Sequence, residues 1–341
     1  MNGFLKIKNA IELKKSYEVP AIIFDQDFIA QSFNIKYKQY ITNGNVMARC
    51  QYNHIKKYNM DYAIIHGDDW MEVEELGVKT CLTDVEAPAP IHYPIKTFES
   101  IKNISIPDYS RKGRFQVRIE AIKMLKEEFD DQIAIIGHVN APYTMASMLI
   151  GLEDIMFLIH DNPDFLIKII EIGFNNAIGC AKAQIEAGAN MIWIGDTMAS
   201  SWVISLEQFK KWALPYQKKL IDYIHNYDVY TFIQMHEKET DRIELMLQTD
   251  SDIINVANKA DLKEAVNAIK GKKCLFGNID PESVLFQGTP LKIKEKIDEC
   301  ISIAARGGGY IIGCCDNLPR YTPEENYKFF FDYVKSINLI L

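Results

Sequence analysis

The sequence Met191-Ile192-Trp193-Ile194-Gly195-Asp196 (residues 191–196) places a run of apolar residues directly before a glycine and a carboxylate. Six other short apolar runs also end in polar residues: 61–65, 133–136, 230–233, 253–256, 274–276 and 310–312. Continuous apolar runs of this length are typical of strands that are buried on both faces of a parallel sheet. The pattern therefore predicts seven such strands.

Helical patterns separate these runs, at residues 118–129, 163–187, 205–226, 240–248, 261–269 and 290–305. Strands that alternate with helices predict a parallel sheet covered by helices, and seven or eight such units favour a closed (β/α)8 barrel. We expect one domain over residues 1–341, with an N-terminal helical extension at 1–60 and a barrel core at 61–335. The proline-rich stretch 84–107 is expected to be a long loop.

The overall composition limits the classes of partner. Of the 341 residues, 48% are hydrophobic and 25% are charged, and the formal net charge is -8, which is typical of a globular protein and gives no support to a nucleic-acid partner. No run approaches the roughly 20 apolar residues that a membrane span needs. Seven cysteines spread along the chain indicate reduced thiols rather than a disulfide framework. We therefore expect a cytoplasmic protein without a membrane or nucleic-acid partner.

Two predicted strand ends carry donors that bind transition metals. His236 follows the run at 230–233, and Cys314 and Cys315 follow the run at 310–312. The carboxyl ends of all strands in a barrel meet at one mouth, so imidazole and thiolate on separate strands can hold a metal, with zinc the first candidate. His66 and His138 also end strands. Each is more often a structural histidine, but both would offer alternative donors if they lined the mouth.

Other polar residues at strand ends are candidates for catalysis or binding. Asp68 and Asp69 are adjacent carboxylates that either cap the next helix or face the mouth, and Asp68 is the predicted acid, base or substrate ligand. Asp196 is a second catalytic candidate, although a carboxylate there can instead bind the amides of the following turn. Asn140 and Asn278 are weaker candidates for cofactor binding because asparagine is common in turns.

Several motifs resemble the uroporphyrinogen decarboxylase superfamily over roughly residues 60–335. The most specific is Gly195-Asp196-Thr197-Met198-Ala199-Ser200, followed by residues 204–209 and 214–216. Supporting motifs lie at 140–144, 276–281 and 322–326. This superfamily includes the decarboxylases of tetrapyrrole synthesis and the zinc-dependent methyltransferases, of the methylcobamide:coenzyme M type, that work with methylated corrinoid proteins.

The decarboxylase branch fits the sequence less well. The resemblance implies an Arg-rich N-terminal segment that grips substrate carboxylates, but the first arginine here is Arg49. Asp68 fits that branch's aspartate, whereas its tyrosine position falls near Met148 and its histidine position falls on Cys314 and Cys315. A substrate with many carboxylates would lack counter-charges. If the chain were a decarboxylase, the cations expected at the mouth would come from Arg114, Arg118, Lys238, Arg306 and Arg320.

The methyltransferase branch holds zinc with a His-x-Cys motif and a distal cysteine. The resemblance places Gln234 at the histidine, His236 at the first cysteine and Cys315 at the distal cysteine. Because an amide is a poor zinc ligand, two alternatives follow: the site recruits Cys314, Glu237 or Asp68 as a third donor, or it has lost tight metal binding.

The resemblance implies a metal-assisted methyltransferase of corrinoid-dependent one-carbon metabolism. Such an enzyme would use zinc, a small-molecule methyl donor or acceptor, and a corrinoid carried by a partner protein. Two alternatives stay open: a decarboxylase of the uroporphyrinogen type, and a protein that binds a corrinoid or tetrapyrrole without turning it over.

Overall fold

The structure, a computed structural model, describes residues 2–111, 113–236 and 240–339. Within these ranges the strands are β1 (Ala21–Phe24), β2 (Tyr62–Ile65), β3 (Lys79–Cys81), β4 (Ala89–His92), β5 (Ala134–Asn140), β6 (Met191–Gly195), β7 (Tyr230–Gln234), β8 (Ile253–Val256), β9 (Cys274–Ile279) and β10 (Tyr310–Asn317). Short 3-10 turns lie at Asp69–Glu72, Glu74–Leu76 and Thr197–Ala199, and a π-helical turn lies at Pro281–Phe286.

The helices surround these strands. In the described part of the chain they are α1 (Gly3–Ile11), α2 (Gln26–Ser32), α3 (Tyr37–Thr42), α4 (Gly44–Tyr58), α5 (Phe98–Ile101), α6 (Gln116–Phe129), α7 (Pro142–Ile150), α8 (Leu152–Asp161), α9 (Pro163–Ala187), α10 (Leu206–Trp212), α11 (Leu214–His225), α12 (Ile243–Met246), α13 (Leu262–Ile269), α14 (Pro290–Ala304) and α15 (Glu324–Ser336).

Eight strands form one parallel sheet in the order β1-β10-β9-β8-β7-β6-β5-β2, while β3 and β4 form a separate antiparallel hairpin. The eight parallel strands form a nearly closed barrel with helices outside, so the predicted (β/α)8 fold is confirmed. All residues of β2, β5, β6 and β9 are buried, because side chains on one face fill the barrel and those on the other pack against helices.

The seven predicted strands are all present, but an eighth was missed. Its sequence, Ala21-Ile22-Ile23-Phe24, is a buried apolar run followed by Asp25, the same pattern as the others. The predicted boundary at residue 60 is therefore wrong: the barrel begins at residue 21, and α1 precedes it. Five strands also continue further than predicted: β6 and β7 by one residue each, β9 to Ile279, β5 to Asn140, and β10 to Asn317, so that it includes Cys314 and Cys315.

Most predicted helices are confirmed. α9 matches its predicted range, whereas the predicted helix at 205–226 is divided into α10 and α11. Pro215 lies in the first turn of α11, where its missing N–H is tolerated but would interrupt a continuous helix. The predicted loop at 84–107 is mostly irregular but contains β4 and α5.

Tyr62 bridges the two end strands of the sheet. Its buried hydroxyl accepts a hydrogen bond from the Ile23 amide at 2.8 Å and donates one to the Ile23 carbonyl at 3.1 Å. The hydroxyl of Tyr62 thus pairs the N–H and C=O of Ile23 in β1, which in a fully closed sheet would form backbone hydrogen bonds with β2. This contact helps to close the barrel.

Tyr62→Phe is expected to lower the free energy of unfolding by about 1–3 kcal/mol, because it leaves a buried amide and a buried carbonyl unpaired. Urea unfolding followed by circular dichroism would measure the change. Tyr143→Phe is the matched control, since the Tyr143 hydroxyl is buried and has no hydrogen-bond partner among the described residues. An equal, near-zero effect in both variants would contradict the bridging role.

Within the described residues, no single helix has the length and apolar composition needed to cross a membrane. The helices α7 and α8 have this length and apolar composition only when they are taken together, and the chain bends by 108° at their junction.

Candidate active site

A cavity of about 310 Å³ lies at the carboxyl ends of the barrel strands. Active sites of (β/α)8 barrels lie at this end, because loops from every strand meet there. The described residues that line the cavity are Phe24, His66, Asp69, His138, Asn140, Trp193, Gly195, Thr197, Gln234, His236, Cys315, Asp316 and Asn317. The lining combines three imidazoles, two carboxylates and a cysteine.

Three of these residues form what we call the His66 cluster: His66, Asp69 and His138. One donor atom from each lies within 4.8 Å of the other two. His66 Nε2 is 2.9 Å from Asp69 Oδ1, and His138 Nε2 is 3.8 Å from the same oxygen. His66 follows β2, Asp69 begins the next turn and His138 lies in β5. The parallel pairing of these two strands places the imidazole rings 4.2 Å apart.

The charges around the cluster fix its protonation. Burial and the neighbouring His66 outweigh the attraction of Glu72 and lower the pKa of His138 to about 4, so this imidazole is neutral at pH 7. Partial removal from water acts to raise the pKa of Asp69, but His66, His138 and Arg118 outweigh it and hold that pKa below its usual value. A neutral imidazole beside an ionised carboxylate is the form that binds a metal.

A buried ion pair supports the cluster from below. Glu72 and Arg118 are both fully buried, and Arg118 Nη1 donates to Glu72 Oε1 at 2.7 Å. Arg118 also donates to the carbonyls of His66, Asp68 (2.6 Å) and His138 (3.1 Å). The guanidinium therefore ties the end of β2 to β5. Burial acts to raise the pKa of Glu72, but Arg118 and His138 outweigh it and lower that pKa, so the carboxylate is ionised at neutral pH.

Aromatic rings form the base of the cavity. Trp193 stacks on Phe24 with ring centroids 4.2 Å apart, and its ring also lies 4.2 Å from His138 and 5.1 Å from His66. Phe232 and Phe276 pack beneath Phe24 inside the barrel. These contacts exclude water below the polar residues and restrict the orientation of the imidazoles.

His236 forms a second polar group with Asp316. Its Nδ1–H donates to Asp316 Oδ1 at 2.5 Å, and Gln234 Nε2 lies 3.2 Å from its Nε2. Gln234 also donates to the Cys315 carbonyl at 2.8 Å. A carboxylate that accepts from Nδ1–H leaves the lone pair on Nε2, the arrangement of a histidine that acts as a general base.

The two adjacent cysteines occupy different positions. Cys315 belongs to the cavity lining and Cys314 does not, although both are fully buried in β10. Burial raises the pKa of both thiols well above the usual value, which disfavours the thiolate that binds zinc.

The zinc ligands implied by the resemblance do not come together as one donor group in the part of the chain that the structure describes. Within the described residues, the His66 cluster is the one group of at least three His, Cys, Asp or Glu donors with mutual distances within 4.8 Å. His236, Cys315 and Cys314 do not form such a group there, and Glu237 lies outside the described residues. The metal assignment to His236, Cys315, Cys314 and Gln234 stays a prediction that these distances do not favour.

Asp69 faces the cavity, whereas the predicted Asp68 does not line it. Asp68 is almost fully buried, caps the following turn by accepting from the Trp70 amide at 3.0 Å, and forms a two-point ion pair with Arg114. The Asp69 side chain is 49% exposed. Adjacent residues at a strand end point in different directions, so the sequence alone did not distinguish the two carboxylates.

The other predicted residues divide between structure and cavity. Asp196 is fully buried and accepts hydrogen bonds from Thr144 Oγ1 at 2.7 Å and Gln217 Nε2 at 2.6 Å. These contacts are structural, but the side chain does not cap the following turn as the sequence alternative had it. Asn278 is buried outside the cavity lining and donates to the carbonyls of Ala257 and Ala260.

Asn140 does line the cavity, where its side chain donates to Asp69 at 3.2 Å. Sequence reasoning missed Asp316, Trp193 and Glu72 as parts of the site or its support. For Trp193 a signal was present, since it belongs to the strand run quoted above.

The cations expected for a decarboxylase lie elsewhere. No lysine or arginine belongs to the cavity lining among the described residues. Arg114 is paired with Asp68 and Glu74, Arg118 is fully buried, and Arg320 stacks on Tyr37. Lys238 lies outside the described residues.

A barrel of parallel strands with imidazoles, carboxylates and a cysteine around a cavity at the carboxyl ends has the organisation of a (β/α)8-barrel enzyme. The sequence pattern of the uroporphyrinogen decarboxylase (URO-D) family matches residues 6–337, and the chain belongs to this family. The family resemblance predicted from the sequence is therefore confirmed.

Relatives of known name include both branches of the family. The methylcobamide:CoM methyltransferase MtbA of Methanosarcina mazei is 30% identical over 255 residues, which cover 74% of this chain and 72% of the relative. The MtbA of Methanosarcina acetivorans is 28% identical over 253 residues, with the same coverage. A uroporphyrinogen decarboxylase of Prochlorococcus marinus is 27% identical over 297 residues, covering 84% of this chain and 81% of the relative. The predicted similarity to the corrinoid-linked methyltransferases is confirmed.

Solved structures agree on the fold. A methyltransferase from Methanosarcina mazei superimposes with a TM-score of 0.89 over 98% of both chains, at 21% identity. A B12-independent methionine synthase from Shewanella gives a TM-score of 0.61 over 87% of both chains, at 11% identity. At these identities the likeness establishes the barrel fold alone.

Proposed function

We propose that this protein is a metal-assisted methyltransferase of corrinoid-dependent one-carbon metabolism, which moves a methyl group between a small substrate or thiol and a corrinoid protein. Its similarity to methylcobamide:CoM methyltransferases over 74% of the chain supports the reaction class. The observation that carries the proposal is the cavity lining, in which side chains able to bind a metal and an imidazole able to accept a proton surround a space of about 310 Å³.

The cavity size supports a small substrate. A volume of about 310 Å³ lies at the lower end of the range for ligand pockets. A corrin ring is too wide to enter such a space, so the corrinoid would stay on its partner protein and present the methyl group at the barrel mouth. Phe24 and Trp193 would keep the base of the cavity dry, which keeps a nucleophile poorly solvated and reactive.

The lining charges disfavour the decarboxylase alternative. A substrate with many carboxylates needs several cations around it, and the described lining residues include two carboxylates and no lysine or arginine. A neutral or cationic small molecule fits these charges better. For the non-catalytic alternative, an apolar cavity would suffice, and the His236–Asp316 pair would have no role.

In the proposed reaction, His236 accepts the proton that a thiol or hydroxyl substrate loses. When a thiol attacks the methyl group, an S–C bond forms, the Co–C bond breaks and both of its electrons stay on cobalt. The released proton goes to His236 Nε2, while Asp316 holds the ring through Nδ1 and stabilises the imidazolium. A metal ion bound in the cavity would lower the pKa of the thiol or hydroxyl that it holds.

Purified protein is expected to demethylate methylcob(III)alamin in the presence of coenzyme M or another small thiol, faster than the same mixture without protein. The cobalamin absorption spectrum reports the loss of the methyl group. Methanol, methylamines and methoxylated aromatics with cob(I)alamin would test the reverse direction. Heat-denatured protein is the control.

Decarboxylation of uroporphyrinogen, measured in parallel, would instead support the decarboxylase. Absence of methyl transfer in every mixture, together with binding of the cobalamin, would favour the non-catalytic binder and contradict the proposal.

A further inference from the structure

We propose that His66, Asp69 and His138 form a binding site for a divalent transition metal, with an open coordination position that faces the cavity. Zinc is the first candidate for this metal. The three donors come from the end of β2, the turn after it, and β5. Ligand atoms about 2.0–2.1 Å from a tetrahedral zinc lie about 3.3 Å from one another. The observed separations of 2.9 and 3.8 Å bracket this value, so small side-chain rotations would complete the site.

The second ring nitrogen of His138 is held by a carboxylate, as is common for a histidine that binds a metal. His138 Nδ1–H donates to Glu72 Oε1 at 2.9 Å, which leaves the Nε2 lone pair directed at the cluster. A carboxylate behind a histidine is a recurring feature of metal sites, because it fixes the ring and raises the basicity of the ligand. Glu72 is itself fixed by Arg118 and by the Asn140 amide at 2.7 Å.

Gln26 provides the corresponding partner for His66. Its side-chain amide lies 3.2 Å from His66 Nδ1, and its Oε1 is buried without a hydrogen-bond partner among the described residues. In a metal-bound His66, Nδ1 carries the proton. Rotation of the Gln26 amide, together with that of Asn317, would place Oε1 against this N–H and satisfy the unpaired oxygen. The unpaired Gln26 oxygen therefore belongs to the side chain next to His66 Nδ1, and it would face the N–H that metal binding creates only after this rotation.

Burial defines where the open position lies. His66 and His138 are 5% and 1% exposed, whereas the Asp69 side chain is 49% exposed toward the cavity. Three protein ligands with one accessible side are typical of catalytic rather than structural zinc. Two imidazoles and one carboxylate would also accept Fe²⁺ or Co²⁺. The open position would bind a thiol, alcohol or phenol oxygen of a small substrate.

This inference places the metal on β2 and β5, whereas the resemblance places it on β7 and β10. It deepens the proposed function without depending on it, because metal binding is measured without methyl transfer.

The test is a calorimetric titration of untagged, chelator-treated protein with zinc. Wild-type protein is expected to bind about one equivalent, and His66→Ala/His138→Ala to lose that binding. His236→Ala/Cys315→Ala should retain the equivalent, as should His225→Ala at the opposite end of the barrel. Loss of zinc in the His236→Ala/Cys315→Ala protein, with retention in His66→Ala/His138→Ala, would overturn the proposal.

Two further measurements guard against a variant that fails to fold. Asp69→Asn keeps the size of a half-exposed side chain and is expected to weaken zinc binding at least about tenfold. Co²⁺ bound to nitrogen and oxygen ligands should give d–d absorption bands without a thiolate charge-transfer band. A charge-transfer band that disappears in Cys315→Ala would assign the metal to the cysteine and refute the His66 cluster. Wild-type protein that binds no zinc in this titration would refute the site, whereas methyl transfer measured on the same sample tests the proposed function separately.

Discussion

His236→Gln is expected to lower kcat for methyl transfer by about 10²–10⁴-fold, the usual contribution of a positioned general base. Glutamine keeps a polar group in the cavity but cannot take the substrate proton. The reason lies in the hydrogen bond from His236 Nδ1 to Asp316 at 2.5 Å, which directs the Nε2 lone pair away from the carboxylate. Asp316→Asn should act in the same direction with a smaller effect, because it removes only the orienting charge.

Kinetics with methylcob(III)alamin and a thiol would measure this loss, with metal content determined on the same samples. His225→Gln is the control: this histidine precedes β7 at the amino end of the barrel and bonds to Asp252 at 3.0 Å. If His236→Gln leaves kcat unchanged, His236 is not the base. If it instead releases the metal, His236 is a ligand, as predicted from the sequence.

Arg118→Met is expected to lower the free energy of unfolding by about 3–5 kcal/mol, because it leaves the Glu72 carboxylate buried without its counter-charge. Both side chains are fully buried, so water cannot replace the lost contact. The substitution also unpairs carbonyls at the ends of β2 and β5. The barrel mouth should therefore lose stability together with the position of His66 and His138.

Urea unfolding followed by tryptophan fluorescence would give the change in free energy. Lys123→Met, on the exposed face of the same helix α6, is the matched control and should change it by less than about 0.5 kcal/mol. The double variant Arg118→Met/Glu72→Met should recover part of the loss, since it removes the isolated charge. A loss below about 1 kcal/mol in Arg118→Met would show that the ion pair is not needed for the mouth.

The strands could be predicted because their burial is local information. A strand that is covered on both faces consists mainly of apolar residues, and seven apolar runs in the sequence indicated such strands. The eighth, Ala21–Phe24, carries it as well but was assigned to a helical extension because helical patterns surround it. The extra residues at the ends of β5 and β10 were missed because several of them are polar, and polar residues after an apolar run are typical of a loop. Here they continue the strand because it extends to the cavity.

The site was predicted less completely than the fold. His236, Cys315, Gln234 and Asn140 line the cavity, as expected for residues at strand ends. Which residue of an adjacent pair faces inward depends on backbone direction after the strand, which the Asp68–Arg114 ion pair and the cap on Trp70 help to set. The residue types of the pair therefore do not show which of the two faces the cavity.

By itself, the sequence determined the barrel, the family and the end of the barrel at which the candidate site lies, because apolar runs and strand-end motifs are contiguous in the chain. Only the tertiary structure decided which donors meet. His66 directly follows β2 and His138 lies in β5, and two 3-10 turns, a hairpin and two helices separate them along the chain. Their convergence follows from the parallel pairing of β2 with β5. Glu72 and Arg118 then fix that arrangement, since a buried charge must be paired where the folded chain places it.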